Sequence, residues 1–302
     1  MESTQKDHAA RGGENVRDHS RWPLCLGENG FASAKDAYGK VYEQAEIWEK
    51  AVQLGYEGVE LHGQYHPIPA PREELVALRQ RARASGLRIA GFQTGGPNPC
   101  LGRTESAAYV DMLKRAIDAA VTLEADVVGC WPGPSMPQVA ESDKIRALAD
   151  AYRSVAPLAE SAGVVLAMEP EPVVIADSIA IAMGVVNAVG SPAFTLIYDV
   201  AHATVLGQGD PVSVIKTFSP YIGHVHFTDA DGSCRVLADG RTETSTHLAP
   251  GEGTVNLAAV LETLQESGYR SWVQADVWQH PDPWLAAEKN IRWLQRWMRM
   301  TG

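Results

Sequence analysis

The sequence predicts a single (β/α)8 TIM barrel, and three observations support this fold class. Short apolar runs alternate with longer stretches whose apolar residues recur every three or four positions, as strands alternate with amphipathic helices. Eight such units in the 302 residues fit a closed barrel better than an open doubly wound sheet. Neither GxGxxG nor GxxxxGK[ST] follows any of the apolar runs, so a nucleotide-binding fold is not favoured.

The eight predicted strands are short and occur at regular intervals along the chain. Short apolar runs that alternate with helices imply a parallel sheet covered by helices. The runs cover residues 23–28, 58–62, 87–94, 126–131, 164–169, 194–199, 222–228 and 271–277.

The stretches between the strands show helical periodicity and end on glycine. Apolar residues share one predicted helical face in three groups: Val41, Ala45, Trp48 and Val52; Ile145, Leu148, Tyr152 and Val155; and Leu257, Val260, Leu261 and Leu264. Glycine suits the left-handed position that ends a helix. The glycines expected at such positions are Gly55, Gly86, Gly163, Gly190 and Gly268.

The predicted domain organisation is one barrel over residues 22–302 that follows a polar tail over residues 1–21. No apolar run approaches the ~18 residues of a membrane span, and the first residues contain no hydrophobic signal core. We therefore expect a cytoplasmic protein without a membrane partner.

The charge balance argues against a polyanionic partner. The chain contains 26 Lys and Arg against 37 Asp and Glu, a net charge of −11 with histidine neutral, and no basic cluster. An acidic surface repels a phosphate backbone, so we expect no nucleic-acid partner. The four cysteines at positions 25, 100, 130 and 234 lack metal-binding or disulfide spacing, and we expect them to be reduced thiols.

Ionisable residues stand at the ends of the last four predicted strands. Glu169 and Asp199 end the fifth and sixth strands, His224 and His226 lie in the seventh, and Asp276 lies in the eighth. Parallel barrel strands bring their carboxyl ends to one rim, and burying such groups is costly unless they are paired or bind a cation. Three carboxylates and one imidazole suit Mn²⁺, Mg²⁺ or Co²⁺, and Zn²⁺ is an alternative. For each residue alone, a helix cap, a solvated loop position or a hydrogen-bonded core histidine is the competing interpretation.

These residues, with their neighbours, resemble the sugar phosphate isomerase/epimerase superfamily of xylose-isomerase-like TIM barrels. The similar segments are GVEL at 58–61, EPEP at 169–172, DVAH at 199–202, HVHFTD at 224–229 and HLAPGEGTV at 247–255. The resemblance extends over residues 22–300 and includes ketose 3-epimerases, hydroxypyruvate isomerase, inosose dehydratase and apurinic-site endonucleases. It identifies a superfamily rather than a substrate.

The resemblance implies a metal site and assigns roles to its ligands. One divalent ion would be held by Glu169, Asp199, His226 and Asp276, of which Glu169 and Asp276 would also act as acid/base groups. The superfamily usually has glutamate in the last position, so Asp276 is a departure that leaves a larger cavity or a water-mediated contact open. His226 is preferred to His224 because it directly precedes the Phe-Thr-Asp segment.

Further residues are expected to bind the substrate. The resemblance implies that His202 contacts a substrate oxygen. For Trp131, packing in the barrel competes with stacking on a sugar ring. His247 lies in the long loop after the seventh strand, where a solvated position is an equal alternative. The remaining substrate-pocket candidates are Glu60, His62, Gln93 and Arg235.

The favoured function is a metal-dependent isomerase or epimerase of a sugar or hydroxy-keto acid. Proton transfer through an enediolate would give either outcome, and expulsion of a β-substituent would make the enzyme a lyase of a keto-polyol or keto-glycoside. An apurinic-site endonuclease is a remote alternative, because Ser245 stands where the nucleases have an aspartate. No phosphate cradle is visible, which favours an unphosphorylated carbohydrate or keto-polyol substrate. A non-catalytic metal-binding partner is the last alternative, and Trp293 and Trp297 could form a homo-oligomer interface or the buried face of the last helix.

Overall fold

Eight parallel strands form a closed barrel within residues 21–237 and 239–301, the part of the chain that the computed structural model describes. Around the barrel, each strand follows its neighbour in sequence, and the last pairs with the first. This confirms the predicted (β/α)8 TIM barrel. The barrel strands are β1 (Leu24–Gly27), β2 (Gly58–Leu61), β3 (Arg88–Thr94), β4 (Val127–Cys130), β5 (Val165–Met168), β6 (Phe194–Asp199), β7 (Ile222–Phe227) and β10 (Val273–Ala275).

Ten α-helices lie in the described part of the chain and cover the outside of the barrel. A one-turn 3₁₀ helix, Pro99–Leu101, precedes the fourth of them. The helices are α1 (Asn29–Tyr38), α2 (Gln44–Leu54), α3 (Arg72–Ala84), α4 (Arg103–Leu123), α5 (Glu141–Ala162), α6 (Ile179–Val189), α7 (Val200–Leu206), α8 (Pro211–Phe218), α9 (Leu257–Glu266) and α10 (Pro283–Thr301).

The strands alternate between an outer core and an inner core. Leu166 and Leu196 belong to the large cluster under the helices, whereas Ala167 and Ile197 form a separate cluster with Val127 inside the barrel. Because side chains alternate along a strand, the residues two positions beyond Ala167 and Ile197 also face the barrel axis. Strand parity therefore brings the carboxylates that follow β5 and end β6 to the mouth of the barrel.

The predicted helical faces are confirmed for α5 and α9 but wrong for α2. Leu148, Tyr152 and Val155 are buried in α5, where Ile145 packs at the edge, and all four residues predicted for α9 are buried. In α2, the capping box formed by Glu43 and Glu46 starts the helix after Val41, and Ala45 and Val52 are exposed. The buried side of α2 is instead Ile47, Trp48 and Ala51. The five predicted helix-ending glycines all have positive φ.

An antiparallel hairpin interrupts the connection between β7 and α9, where the sequence predicts only a long loop. Its strands are β8 (Cys234–Val236) and β9 (Thr242–Ser245). The connection after β7 lies on the catalytic face of a TIM barrel. The hairpin therefore adds a wall at the mouth of the barrel.

The two C-terminal tryptophans belong to the buried face of the last helix. Trp297 stacks on Trp22 with ring centroids 5.5 Å apart, and Trp293 packs on Phe227 at 5.6 Å. None of the described helices is both long and apolar enough to cross a membrane. The four cysteines are free thiols. Residues 1–20 of the predicted tail lie outside the described part of the chain.

Candidate active site

Glu169, Asp199 and His226 converge at the mouth of the barrel. Nδ1 of His226 lies 2.8 Å from Oε1 of Glu169 and 3.9 Å from Oδ2 of Asp199. Asp276 reaches the same nitrogen with its Oδ2 at 3.6 Å. The structure thus brings together the four residues for which the sequence predicts a shared metal ion.

The donor set fits a cation better than it fits internal hydrogen bonding. Both ring nitrogens of His226 are buried, and among the described residues neither makes a hydrogen bond of acceptable geometry. Buried polar atoms are nearly always satisfied, so several acceptors that crowd one orphaned nitrogen indicate a shared ligand. Carboxylate oxygens with one imidazole are suitable ligands for a hard or borderline divalent ion.

Burial and mutual charge determine the ionisation of this cluster. Burial alone would lower the pKa of His226, but Glu169 and Glu60 outweigh burial and raise it well above its usual range. Burial alone would raise the pKa of Asp199, but His202 and His247 hold it well below its usual range. For Asp276, burial prevails and raises the pKa. Perturbed groups of this kind concentrate at functional sites.

Two donors fix the carboxylate of Asp276, one on each oxygen. The side-chain amide of Asn29 donates to Oδ2 at 3.1 Å, and the backbone N–H of Trp278 donates to Oδ1 at 2.8 Å. The carboxylate is therefore held at the rim although its side chain is one methylene shorter than the usual glutamate.

His202 and His247 form a second buried group beside the cluster. Nδ1 of His202 lies 3.0 Å from the Ser245 hydroxyl, and its Nε2 lies 4.0 Å from Oε1 of Glu169. His247 donates from Nδ1 to the Ser245 carbonyl at 2.8 Å, and its Nε2 faces Oδ2 of Asp199 at 3.3 Å. With 7% exposure, His247 is not the solvated loop residue that the sequence leaves as an alternative. Burial lowers its pKa, but Asp199 outweighs burial and raises the pKa to about 9.

Glu171 is a buried carboxylate of this rim that the sequence reasoning does not single out. It accepts hydrogen bonds from the indole N–H of Trp131 at 2.6 Å and from the Thr244 hydroxyl at 2.8 Å. Its Oε2 lies 3.5 Å from Nε2 of His202. Burial raises the pKa of Glu171 despite the nearby His202. The sequence feature that could have identified Glu171 is the EPEP segment, in which a proline separates its carboxylate from that of Glu169.

The other substrate-pocket candidates occupy three different places. The Gln93 amide lies 3.5 Å from Oε2 of Glu169, and glycine at position 129 leaves room for it, because a Cβ there would lie 2.3 Å from Oε1 of Gln93. His62 is half-buried at the mouth, with its ring centroid 6.4 Å from that of Trp278. Glu60 is only 3% exposed and faces two histidines inside the barrel.

Arg235 lies on the hairpin, away from the cluster. Its Nε lies 2.9 Å from Glu243, and its guanidinium covers the ring of Tyr38. Glu243 also accepts a hydrogen bond from the Gln279 amide at 2.7 Å. Through Glu243, the hairpin contacts the loop after β10. Through Thr244 and Ser245, it contacts Glu171 and His202. The hairpin therefore bridges two sides of the mouth.

Asp229 explains the glycine-rich segment that follows His247. Its carboxylate accepts the backbone N–H groups of Gly251 at 2.9 Å, Gly253 at 3.0 Å and Val255 at 3.2 Å. A Cβ at position 253 would lie 2.4 Å from the carbonyl oxygen of Ala230, so only glycine fits there. Asp229 is a loop anchor rather than a member of the cluster.

A TIM barrel with buried carboxylates and histidines at the carboxyl ends of its strands has the architecture of an enzyme of this fold. Residues 48–299 match the xylose isomerase-like TIM barrel family, and the chain belongs to this family.

Similar proteins in this superfamily are enzymes of several kinds. A putative hydroxypyruvate isomerase of Streptomyces coelicolor is 26% identical over 262 residues, which cover 81% of this chain and 88% of the relative. An inosose dehydratase of Lacticaseibacillus casei is 27% identical over 121 residues, or 35% of this chain. That match spans 39% of the dehydratase, less than half of its length.

Solved structures show the same fold at low sequence identity. A D-tagatose 3-epimerase-like protein superimposes with a TM-score of 0.72 and 18% identity, covering 92% of this chain and 99% of its own. The IolI protein, described with a bound zinc atom, superimposes with a TM-score of 0.68 and 18% identity, covering 91% and 96%. These identities support the fold alone.

Proposed function

We propose that this protein is a divalent-metal-dependent isomerase or epimerase of a sugar or hydroxy-keto acid. The observation that carries the proposal is the convergence of Glu169, Asp199 and Asp276 on the unbonded Nδ1 of His226. An unphosphorylated carbohydrate or keto-polyol is the proposed substrate class.

These four side chains would hold the ion. Mn²⁺, Mg²⁺ and Co²⁺ suit the three carboxylates, and the zinc bound to the IolI protein supports Zn²⁺ as a further choice. When bound, the ion would stabilise negative charge on the substrate carbonyl and its neighbouring hydroxyl oxygen.

The proposed proton transfers use carboxylates from separate sides of the mouth. Glu169 follows β5 and Asp276 follows β10, with β6 and β7 between these strands around the barrel. We assign one carboxylate to removing the proton beside the carbonyl and the other to returning a proton, which epimerises that carbon. Burial raises the pKa of Asp276, which favours its protonated form relative to an exposed aspartate.

His202 is the proposed contact for a substrate oxygen. Ser245 fixes one of its ring nitrogens, and the other lies between the carboxylates of Glu169 and Glu171. A proton returned at the adjacent carbon would give isomerisation, so the same groups serve both outcomes.

A lyase reaction is the second candidate, and the inosose dehydratase relatives favour it. The first proton transfer would be the same, but the bond to a β-substituent would then break and the substituent would leave with a proton from an acidic group. An apurinic-site endonuclease is not proposed, because Ser245 occupies the position of the expected aspartate and the chain has a net charge of −11.

Solvent exchange distinguishes the two candidates. The Mn²⁺-supplemented protein is incubated in D₂O with unphosphorylated ketoses and with inosose, and the products are analysed by NMR and by ultraviolet absorbance. We expect deuterium at the carbon beside the carbonyl without enone, and we expect Glu169→Gln to abolish exchange. Formation of an enone would contradict the isomerase proposal and support the lyase. An exchange rate unchanged by Glu169→Gln would refute the proton transfer assigned to Glu169.

A further inference from the structure

A carboxylate–histidine pair lies inside the barrel beneath the candidate metal site. Glu60 belongs to β2 and His224 to β7, and β1 and β10 separate these strands around the barrel. Oε2 of Glu60 lies 2.6 Å from Nε2 of His224, and the two side chains are 4% and 0% exposed. The pair therefore spans the interior, where a bound substrate has little access to either carboxylate oxygen.

The second oxygen of Glu60 faces the candidate metal ligand. Oε1 lies 3.5 Å from Nε2 of His226, while Nδ1 on the opposite side of that ring faces Glu169 at 2.8 Å. A neutral imidazole has one N–H donor and one lone pair, and the acceptor beside one nitrogen decides which nitrogen has the proton. Because carboxylates face both nitrogens, the tautomer depends on whether a cation would neutralise the cluster at Nδ1. With that charge offset, the carboxylate at Nε2 favours a proton there and leaves the Nδ1 lone pair directed at the cluster.

We propose that Glu60 is a positioning residue that holds His226 in the tautomer able to bind a metal ion through Nδ1. The carboxylate of Glu60 faces Nε2 of His226 with Oε1 at 3.5 Å and attracts the proton to that nitrogen electrostatically, while His224 fixes the carboxylate through Oε2. This assignment rests on the proposed metal-dependent function, and it replaces the substrate contact that the sequence suggests for Glu60.

The energetics of burial agree with such a role. A buried ion pair contributes little net stability compared with well-packed apolar residues, so stability alone is a weak reason to keep Glu60 and His224 inside the barrel. Outer carboxylates that orient ligating histidines, in contrast, typically change metal affinity 10–100-fold when they are replaced.

Metal affinity tests the proposal without using catalysis. Co²⁺ binding is measured at about pH 8 through visible absorption and chelator competition, and the native fold is checked by circular dichroism. Glu60→Met removes both acceptors at similar volume, and we expect Co²⁺ to bind about 10–100-fold more weakly. Glu60→Gln keeps one acceptor, so we expect an intermediate loss.

One variant provides a matched control. Glu28→Gln removes another fully buried carboxylate, which accepts hydrogen bonds from Gln44 and Trp48 rather than facing His226, and we expect its affinity to be unchanged.

The outcomes separate this inference from the function on which it rests. Failure of the unaltered protein to bind Co²⁺ would refute the metal site itself. If that protein binds one ion and a folded Glu60→Met binds equally well, only the role of Glu60 is refuted. Should Glu60→Met not fold, Glu60→Gln decides, and unchanged affinity there overturns the proposal. In the Zn²⁺-loaded protein, long-range ¹H–¹⁵N spectra should show the His226 proton on Nε2, and a proton on Nδ1 would contradict it.

Discussion

Ser245 shows how one small side chain defines the neighbourhood of His202. An aspartate in this position would add a further carboxylate to the rim, whereas the hydroxyl only forms a hydrogen bond with Nδ1 of His202 at 3.0 Å. The backbone carbonyl of the same residue fixes His247. Ser245 therefore orients two histidines without adding negative charge to a rim that already has several carboxylates.

Replacing Ser245 with alanine should weaken catalysis without removing the metal ion. The variant loses a hydrogen bond of about 1 kcal/mol, and we expect the rate of solvent-deuterium exchange to fall about fivefold at subsaturating substrate. Ser233→Ala is the control, since the Ser233 hydroxyl contacts Thr246 on the exposed side of the same hairpin. Equal exchange rates in the two variants would show that His202 does not depend on Ser245.

Sequence reasoning works at this scale where position along a strand is sufficient. Strand parity is consistent with Glu169, Asp199, His226 and Asp276 facing the barrel axis. The choice of His226 over His224, which has the same parity, rests on the family resemblance. The burial of Glu171 and His247 depends on Thr244 and Ser245, which the hairpin delivers. No local pattern in the sequence predicts that arrangement.

At the scale of elements, apolar spacing is a reliable guide only where one face of the helix alone is apolar. In α9, the pattern identifies the four buried residues. Val41 precedes α2 and is exposed, as is Val52 within the helix. The buried side of α2 is Ile47, Trp48 and Ala51. Capping geometry, rather than periodicity, determines where this helix begins.

Asp229 anchors the segment after His247 through that segment's backbone N–H groups. Oδ2 of Asp229 accepts from Gly251 and Gly253, and Oδ1 accepts from Ala230 and Val255. The single amide oxygen of asparagine satisfies one of these pairs, and its N–H₂ opposes the other. We expect Asp229→Asn to lower the free energy of unfolding in urea by about 2 kcal/mol. Asp231→Asn alters an exposed carboxylate two residues away and should have a much smaller effect. Identical unfolding curves for the two variants would refute the anchoring role.

At the scale of the whole molecule, closure of the barrel is the most predictable feature. Eight apolar runs separated by helices are sufficient to predict it. Parallel strands need crossover helices, and eight such strand–helix units close into a barrel. Part of the excess of acidic residues lies at the mouth of the barrel, in the carboxylates of Glu169, Glu171, Asp199 and Asp276. Substrate identity does not follow from the fold, because different reactions use the same barrel.

Glu28, a fully buried residue after β1, should make stability depend on pH. Burial raises its pKa from 4.5 to about 7, although the His62 N–H, Trp48 and Gln44 donate to it. Between these pH values the native state binds the proton more tightly than the unfolded chain does. The contribution of Glu28 to stability is therefore complete below pH 4.5 and is lost as pH rises to 7.

Glu28→Gln removes this titration. Across the same interval, the free energy of unfolding of the variant relative to the unaltered protein should rise by about 3 kcal/mol. Urea denaturation at a series of pH values measures the difference, and a difference independent of pH would show that the Glu28 carboxyl titrates normally.

The central claim is that Glu169, Asp199, His226 and Asp276 hold one divalent ion that the reaction requires. Equilibrium dialysis against Mn²⁺ and Co²⁺, followed by elemental analysis, measures the stoichiometry directly for the unaltered protein and for Asp199→Asn. We predict one ion per chain, its loss in Asp199→Asn, and loss of solvent exchange after treatment with chelator. Protein that retains no ion, yet exchanges substrate protons undiminished in chelator, would contradict the account.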